Sequence, residues 1–166
     1  MRYWITTDTH VDHKNIIKYC NRPENCDELI MDGLSLVGPR DVIVHLGDVA
    51  FSSRGEEEYM MHLPYFCKKW LILGNHDKSM KYHIESGWDW AGESMTIRRH
   101  GKLIKFSHKP VPIGEEDIQI HGHFHNNPME YCEGWLQEYY TSKHYLLVLE
   151  DVNYMPVRLH DILKRV

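Results

Sequence analysis

The segment LILGNHD, from Leu71 to Asp77, changes from three apolar residues to a glycine and three polar side chains. The apolar residues are typical of a buried strand, whereas an amide, an imidazole and a carboxylate in succession are not. Asn75, His76 and Asp77 therefore mark either a polar turn or a group of side chains with a chemical role. One such pattern indicates little, so its recurrence along the chain decides between the two interpretations.

Five short apolar runs, rich in β-branched and aromatic residues, predict buried strands. They are Arg2 to Thr7, Asp41 to Leu46, Lys69 to Leu73, Lys102 to Ser107 and Asp117 to His121. The fourth run also predicts one arm of a hairpin that begins at Met95 and turns at His100-Gly101. One or two more strands are predicted between His144 and Tyr154.

Three segments between these runs have apolar residues at helical spacing. They are Asp27 to Val37, which stops at Gly38-Pro39, Arg54 to Phe66, which is limited by Pro64, and Lys78 to Gly87. Strands that alternate with helices predict an α/β fold. Because no repeat or linker divides the chain, residues 1–166 are interpreted as a single domain.

The composition is that of an ordinary globular protein. The 166 residues are 42% hydrophobic and 26% charged, with a formal net charge of −5. These values argue against disorder and against a basic surface for long nucleic acids. No apolar run approaches the roughly 20 residues of a membrane span, so a cytoplasmic location without membrane contact is expected. The cysteines form no C-x-x-C pair and are expected to be reduced thiols; they are Cys20, Cys26, Cys67 and Cys132.

Polar residues follow every one of the five predicted strands. They are Asp8 and His10 after the first, Asp48 after the second, Asn75 after the third, His108 after the fourth, and His123 and His125 after the fifth. Side-chain direction repeats every two residues in an extended chain, so D-x-H and H-x-H pairs present both groups to one face. In open α/β sheets, ligands bind in the crevice beyond the carboxyl ends of the strands. The seven side chains are therefore predicted to meet there.

This set of donors predicts a metal centre. Imidazole together with carboxylate suits zinc, iron, manganese or nickel better than calcium. Seven donors exceed the four of a typical zinc site, and two ions about 3.5–4 Å apart fit the number if one carboxylate bridges them. Asp48 is the predicted bridge, and Gly47 beside it leaves room for close approach of the backbone.

Other polar residues have structural interpretations. His45 and His121 lie at or within predicted strands and are expected to be hydrogen-bonded core histidines rather than ligands. The acidic run Glu56 to Glu58 is predicted to face solvent, and so are five histidines, namely His62, His83, His100, His144 and His160. The aromatic segment from Glu130 to Tyr140 is predicted to serve in packing or a dimer contact, with base stacking as the alternative.

The ordered motifs DTH, GD, GNHD, SH and GHFH, which span Asp8 to His125, resemble those of the calcineurin-like metallophosphoesterase superfamily. The chain is similar in particular to the small, compact bacterial and phage phosphodiesterase-like members, with further likeness at HKNII (His13 to Ile17) and NYMPVRLHDI (Asn153 to Ile162). The resemblance implies a four-layer αββα sandwich, in which two mixed β-sheets are flanked by helices. It also implies one domain without a cap.

The resemblance further implies a role for each motif residue. One metal ion would be held by Asp8, His10, Asp48 and His125, and the other by Asp48, Asn75, His108 and His123. His76 would contact the phosphate or the leaving-group oxygen instead of a metal, and Asp77 would orient its ring. Two divalent ions are expected, with manganese first and iron, zinc or nickel as alternatives.

The second motif departs from the family pattern G-D-x-x-D-R. It reads Gly47-Asp48-Val49-Ala50-Phe51-Ser52, so the aspartate and the phosphate-holding arginine of that pattern are missing. Arg22 and Arg54 are candidate replacements for that arginine. His13 is a further candidate for contact with the substrate.

The implied activity is dinuclear-metal-dependent hydrolysis of phosphodiester bonds, in which a metal-bridging hydroxide attacks phosphorus directly. A phosphomonoesterase acting on nucleotides or phosphoproteins is the nearest alternative, and a non-catalytic protein-binding scaffold is an alternative of another class. His76 together with a full ligand set favours an enzyme. The expected partner is a phosphate ester, with a nucleotide or an RNA end as one form of it and no groove for long nucleic acids. A homodimer is a further expected partner, by analogy with the short, compact members of the superfamily.

Overall fold

A five-stranded sheet forms the centre of the computed structural model, which describes residues 1–127 and 138–166. Its strands are β1 (Tyr3–Thr6), β2 (Val42–His45), β3 (Lys68–Ile72), β4 (Trp90–Gly92) and β9 (Val157–Arg158), in the order β4-β3-β2-β1-β9. The first four strands are parallel, and β9 runs antiparallel to β1. The parallel strands end at the same edge, which brings the loops after β1, β2 and β3 together.

The second sheet has four strands in sequence order. They are β5 (Ser94–Arg99), β6 (Lys102–Ser107), β7 (Ile118–His121) and β8 (His144–Leu146). β5 and β6 form the hairpin predicted at His100-Gly101, whereas β6, β7 and β8 are parallel to one another. The loops after β6 and β7, which carry the later histidine motifs, therefore also share an edge.

Helices flank the two sheets. They are α1 (Ile16–Tyr19), α2 (Cys26–Leu34), α3 (Ser53–Met61), α4 (Met80–Glu85) and α5 (Leu159–Ile162), and a 3₁₀ turn covers Glu150–Val152. Successive side chains of β1 point to opposite faces of the central sheet. Trp4 belongs to the hydrophobic core that includes Ile30 of α2, whereas Ile5 belongs to the core that includes Phe106 of the second sheet. The predicted α/β sandwich of two mixed sheets flanked by helices is confirmed. Among the described residues, no helix is both long enough and apolar enough to cross a membrane.

The five predicted strands are all present, each within one residue of its predicted ends. The three predicted helices are present but shorter, and α3 ends before Pro64. β4 and β9 were not predicted because runs of three and two residues are too short to show a pattern. The segment between His144 and Tyr154 forms one strand and the 3₁₀ turn. Cys132 and the aromatic segment from Glu130 up to residue 137 lie outside the described residues.

The burial of the polar residues agrees with the sequence predictions in some cases and contradicts them in others. His45 and His121 are completely buried and hydrogen-bonded, as predicted. Glu56, His83 and His144, which were predicted to face solvent, are also buried, so the prediction is wrong for these three residues. Glu56 Oε1 lies 2.6 Å from His83 Nδ1 and accepts a hydrogen bond from Trp88 Nε1 at 2.9 Å. His83 and Glu56 are 27 residues apart, so no local sequence pattern shows that each buried polar group has a hydrogen-bond partner.

Asp41 directly precedes β2 and stabilises the edge of the central sheet that lies opposite the loops after β1, β2 and β3. Its Oδ1 accepts from the backbone N–H of Arg2 at 2.9 Å, and its Oδ2 accepts from Trp4 Nε1 at 3.1 Å and from the N–H of Gly38 at 3.0 Å. The Arg2 guanidinium lies 2.7 Å from the same carboxylate. Burial would raise the pKa of Asp41, but the hydrogen bonds from Arg2, Trp4 and Gly38 outweigh it and hold the pKa well below its usual range.

We expect Asp41→Ala to lower the free energy of unfolding by about 2–3 kcal/mol, because the buried Trp4 Nε1 and the partly buried N–H groups of Arg2 and Gly38 lose their acceptor. Asp32→Ala, at an exposed position of α2, is the control and should change it by less than about 0.5 kcal/mol. Urea denaturation measures both values.

The same comparison has a pH dependence of known sign. The folded pKa of Asp41 is depressed, so its stabilising contribution is fully present above the unfolded value of about 4 and is lost as the pH falls through the folded value. The difference between the wild type and Asp41→Ala should therefore be smaller at about pH 2.5 than at about pH 7. A difference that stays constant or grows would contradict this explanation.

Candidate metal centre

The loops after β1 and β2 pair with each other beyond the ends of the strands. The N–H of Asp8 donates to the carbonyl of Gly47 at 2.9 Å, and the N–H of His10 donates to the carbonyl of Asp48 at 3.0 Å. This pairing brings Asp8, His10 and Asp48 side by side, and all three side chains are buried.

Five of the seven predicted ligands adopt a left-handed backbone conformation. They are Asp8 (φ 48°), His10 (φ 47°), Asp48 (φ 58°), His123 (φ 77°) and His125 (φ 52°). Such a conformation costs a residue with a Cβ atom of the order of 1–3 kcal/mol and persists only where the surroundings enforce it. These residues are concentrated at the strand ends. We infer that the placement of their side chains determines the backbone conformation there.

The first group of donors is Asp8, His10 and His125, whose ligand atoms all lie within 4.8 Å of one another. His125 Nε2 is 3.8 Å from Asp8 Oδ1. Among the described residues, neither Asp8 Oδ1 nor His10 Nε2 has a hydrogen-bond partner, although both atoms are buried. Unpartnered buried donors and acceptors are costly, so their convergence fits a cation held between them.

The second group is Asp8, Asp48 and His108, again within 4.8 Å of one another. His108 Nε2 lies 3.4 Å from Asp48 Oδ2 and 3.0 Å from Asn75 Oδ1, and His123 Nδ1 is 3.2 Å from the same ring nitrogen. Asp48 Oδ2 is also 3.5 Å from His10 Nε2. One oxygen of Asp48 therefore contacts a histidine of each group.

Burial prepares several of these groups for metal binding. Burial lowers the pKa of His10 to about 3, and burial with the charge of His108 lowers that of His123 to about 4, so both rings are neutral. Burial would raise the pKa of Asp48, but its hydrogen bonds with His108 and the N–H of His76 hold the pKa well below its usual range. Neutral imidazoles and an ionised carboxylate are the forms that ligate metals.

His108 and His125 differ from the other histidines. Burial opposes their protonation, but hydrogen bonds and nearby carboxylates outweigh burial in both cases. The pKa of His108 is raised by Asp48 and Asp8, and that of His125 is raised to about 10 by Cys20, Glu150 and Asp8. A metal ion at these rings would take the place of a proton.

Glycine is required where the loops meet the ligands. At Gly47 (φ +104°), a Cβ atom would lie 2.6 Å from His108 Nδ1 and 2.7 Å from the Cα of Gly74. At Gly122, a Cβ atom would overlap Thr7 Oγ1 and Asp8 Oδ2. The structure thus confirms the close backbone approach expected at Gly47.

Asp77 has a structural role that its motif did not indicate. Its carboxylate accepts from the N–H groups of Gly74 and Asp48, each at 2.8 Å, and of Val49 at 3.0 Å. Asp77 therefore ties the loop after β3 to the loop after β2. That it also orients the ring of His76 stays a prediction. His76 is exposed; its N–H donates to Asp48 Oδ1 at 2.9 Å, and its ring centroid is 5.6 Å from that of His10.

The three predicted substrate contacts occupy different places. Arg22, proposed as a phosphate ligand, has a fully buried side chain that donates to the carbonyls of Asp8 at 2.8 Å and Thr9 at 2.9 Å. It supports the ligand loop from beneath, which corrects its predicted role. Arg54 is exposed in the first turn of α3 and stays a prediction. His13 is half-buried, with its ring centroid 5.7 Å from that of His10.

Glu150 is a site residue that the sequence did not reveal. Its Oε1 accepts from Arg22 Nε at 2.8 Å and lies 3.5 Å from His125 Nδ1. Burial would raise the pKa of Glu150, but His125 and Arg22 lower it to about 2. An anion beside Nδ1 favours a proton on that nitrogen, and Nε2 is the ring nitrogen that faces Asp8 Oδ1 of the donor group, at 3.8 Å. No motif marks Glu150, because it lies 25 residues beyond His125 in a segment predicted as strand.

A pocket of about 420 Å³ borders the second donor group. Its lining includes Asn75 and His108 together with two lysines, Lys78 and Lys109. Lys109 is exposed and directly follows His108, one of the predicted ligands. Neither lysine belongs to the motifs that predict the site.

A sequence model of the calcineurin-like phosphoesterase family matches residues 1–158 of the chain. The chain is 29% identical over 177 residues to the uncharacterized protein MJ1445 of Methanocaldococcus jannaschii, covering 98% of this chain and 90% of that protein. It is also similar to the crystal structure of the protein of unknown function AQ665 from Aquifex aeolicus, with a TM-score of 0.80, 28% identity and 99% of each chain covered. A novel archaeal phosphodiesterase has a TM-score of 0.47 and 18% identity, with 74% of this chain and 73% of that chain covered.

We expect Glu150→Gln to weaken metal binding by about 10- to 100-fold, because His125 loses the anion that holds its Nδ1 proton. Asp151→Asn removes a neighbouring exposed carboxylate and serves as the control, with no change expected. Calorimetric titration of metal-stripped protein with Mn²⁺ measures both affinities. If Glu150→Gln binds Mn²⁺ as tightly as the wild type, the role assigned to this carboxylate is wrong.

Proposed function

Because this chain belongs to the calcineurin-like phosphoesterase family, we propose that it hydrolyses phosphodiester bonds at a centre of two divalent metal ions. The observation that carries the proposal is the position of Asp48 Oδ2, 3.5 Å from His10 Nε2 and 3.4 Å from His108 Nε2. An oxygen placed between two sets of donors suits a carboxylate that bridges two ions.

Each ion has its own ligands in this proposal. Asp8, His10, Asp48 and His125 would hold one ion, and Asp48, Asn75, His108 and His123 the other. When bound, the ions would lower the pKa of a water molecule and neutralise charge on the phosphoryl oxygens. Two divalent cations against the carboxylates of Asp8 and Asp48 leave the centre positive, which attracts an anionic phosphate ester.

His76 is the residue proposed to hold the proton for the leaving oxygen. Its backbone N–H is fixed to Asp48 Oδ1, while its exposed ring lies 5.6 Å from that of His10. The ring is thus beside the donors without being one of them. A positioned general acid contributes about 10²–10⁴ in rate.

A diester is the proposed substrate for two reasons. The site has room for a substituent on each side of the metal centre, and few positively charged side chains are held in place there. The pocket beside Asn75 and the half-exposed ring of His13 would each receive one substituent of the phosphate. Arg22 is buried beneath the loop, and no arginine stands in the pattern after Asp48. A diester carries one negative charge fewer than a fully ionised monoester and needs less compensation.

A monoesterase is the second candidate, favoured by Lys78 and Lys109 in the pocket, which would balance a dianion. A non-catalytic scaffold is a weaker candidate. It gives no reason for His76, an exposed histidine that is held beside the donors without being one of them.

The substrate class is tested with metal-stripped protein resupplied with Mn²⁺ and given a chromogenic phosphodiester or the matching monoester. We expect turnover of the diester to exceed that of the monoester, because of the single charge and the two flanks. Preferential turnover of the monoester would move the assignment to a phosphatase. Bound metal without turnover of either compound would favour the scaffold.

Two variants separate the metal centre from the proton donor. Asp48→Ala should lose both metal content and activity, because it removes the proposed bridge. His76→Ala should keep its metal content, measured by elemental analysis, but lower kcat by about 10²–10⁴-fold. His62→Ala, at an exposed histidine at the end of α3, is the matched control and should behave as the wild type. Full activity in His76→Ala would exclude the proposed acid role.

A further inference from the structure

Aromatic rings cluster at the surface beside the first donor group. Phe51 is 68% exposed and Tyr19 is 70% exposed. The ring of His13 stacks on that of Phe51, with centroids 4.6 Å apart and an interplanar angle of 18°, and its centroid lies 6.5 Å from that of Tyr19. We refer to His13 and Phe51 as the aromatic platform.

The platform is attached to the loop that carries the metal ligands. The N–H of His13 donates to the carbonyl of His10 at 3.1 Å, and the N–H of Phe51 donates to the carbonyl of Val11 at 2.9 Å. The ring centroids of His13 and His10 are 5.7 Å apart. A planar group bound on the platform would therefore lie next to the occupant of the metal centre.

Packing alone gives Phe51 little reason to be where it is. Single exposed hydrophobic residues are common on protein surfaces, but this one is held nearly parallel to a neighbouring ring at the border of a polar site. It also occupies the position at which the pattern G-D-x-x-D-R has its second aspartate. Compared with an aspartate, Phe51 removes a negative charge from the border of the site and adds a flat apolar ring face.

We propose that the aromatic platform binds the nucleobase of a substrate whose phosphate lies at the metal centre, so that the natural substrates are nucleotide-derived phosphate esters. The inference rests on the proposed function, because it names a substrate class for the same site. Stacking tolerates any base, since every base has a π-face, so selectivity among bases should be weak. The net charge of −5 favours a short nucleotide over a long strand.

The test compares AMP with ribose 5-phosphate, which share sugar and phosphate and differ only in the nucleobase. With Mn²⁺-loaded wild-type protein, calorimetry should show AMP binding about 5- to 100-fold more tightly. Phe51→Ala and His13→Ala should each lose most of this preference, and the affinity of Phe51→Ala for ribose 5-phosphate reports that the variant is folded. Phe51→Trp should keep the preference, because it retains an aromatic face.

Phe66→Ala is the matched control. Phe66 is 77% exposed but precedes β3, whereas the site follows that strand, so the control should keep the preference for AMP. The proposal is overturned if the wild type binds AMP no more tightly than ribose 5-phosphate, or if the preference survives in both Phe51→Ala and His13→Ala.

Binding and turnover also separate this inference from the proposed function. A preference for AMP that depends on Phe51, without turnover of any phosphate ester, supports the platform and contradicts the hydrolase. Hydrolysis of a phosphodiester without a preference for AMP supports the hydrolase and overturns the platform.

Discussion

The pairing of the loops after β1 and β2 is the interaction on which the candidate centre depends. It continues the parallel ladder past the strands and holds ligands whose backbone conformations are unfavourable in isolation. The pairing is itself enforced from several sides. Thr9 Oγ1 donates to the carbonyl of Val49 at 2.7 Å and lies 2.8 Å from Nε2 of the buried His45. Arg22 and the carboxylate of Asp77 hold the same loops through their backbone groups.

In each of the two buried carboxylates, those of Asp8 and Asp48, the two oxygens have different surroundings. Asp8 Oδ2 accepts from Thr7 Oγ1 at 2.6 Å and from the N–H of His123 at 2.9 Å, while its Oδ1 has no hydrogen-bond partner among the described residues. Asp48 Oδ1 accepts from the N–H of His76, while its Oδ2 faces His10 and His108. One oxygen of each carboxylate is thus fixed by the protein and the other is directed at the centre. This division keeps the donors in place when no cation is bound and explains why the fold tolerates them.

The sequence predicts the elements and the donors better than it predicts their supports. Strand-end motifs identify Asp8, Asp48 and His108 because parallel strands must deliver such residues to one edge. The supporting contacts have no such rule. Arg22 and Glu150 pair across 128 residues, and Asp77 binds backbone amides that any sequence would offer. These roles depend on tertiary packing, and therefore no local sequence pattern predicts them.

The buried arginine and the exposed phenylalanine belong to one explanation of the altered second motif. Arg22 directs its charge to the carbonyls of Asp8 and Thr9 and to Glu150, so it stabilises the loop instead of holding substrate. The border of the site is then left with an apolar ring at Phe51 and with lysines on the other flank. Recognition in such a site would depend on the shape and stacking of a substituent more than on clamping a dianionic phosphate. That balance favours an esterified phosphate with a planar group attached, for which the ions alone supply most of the charge compensation.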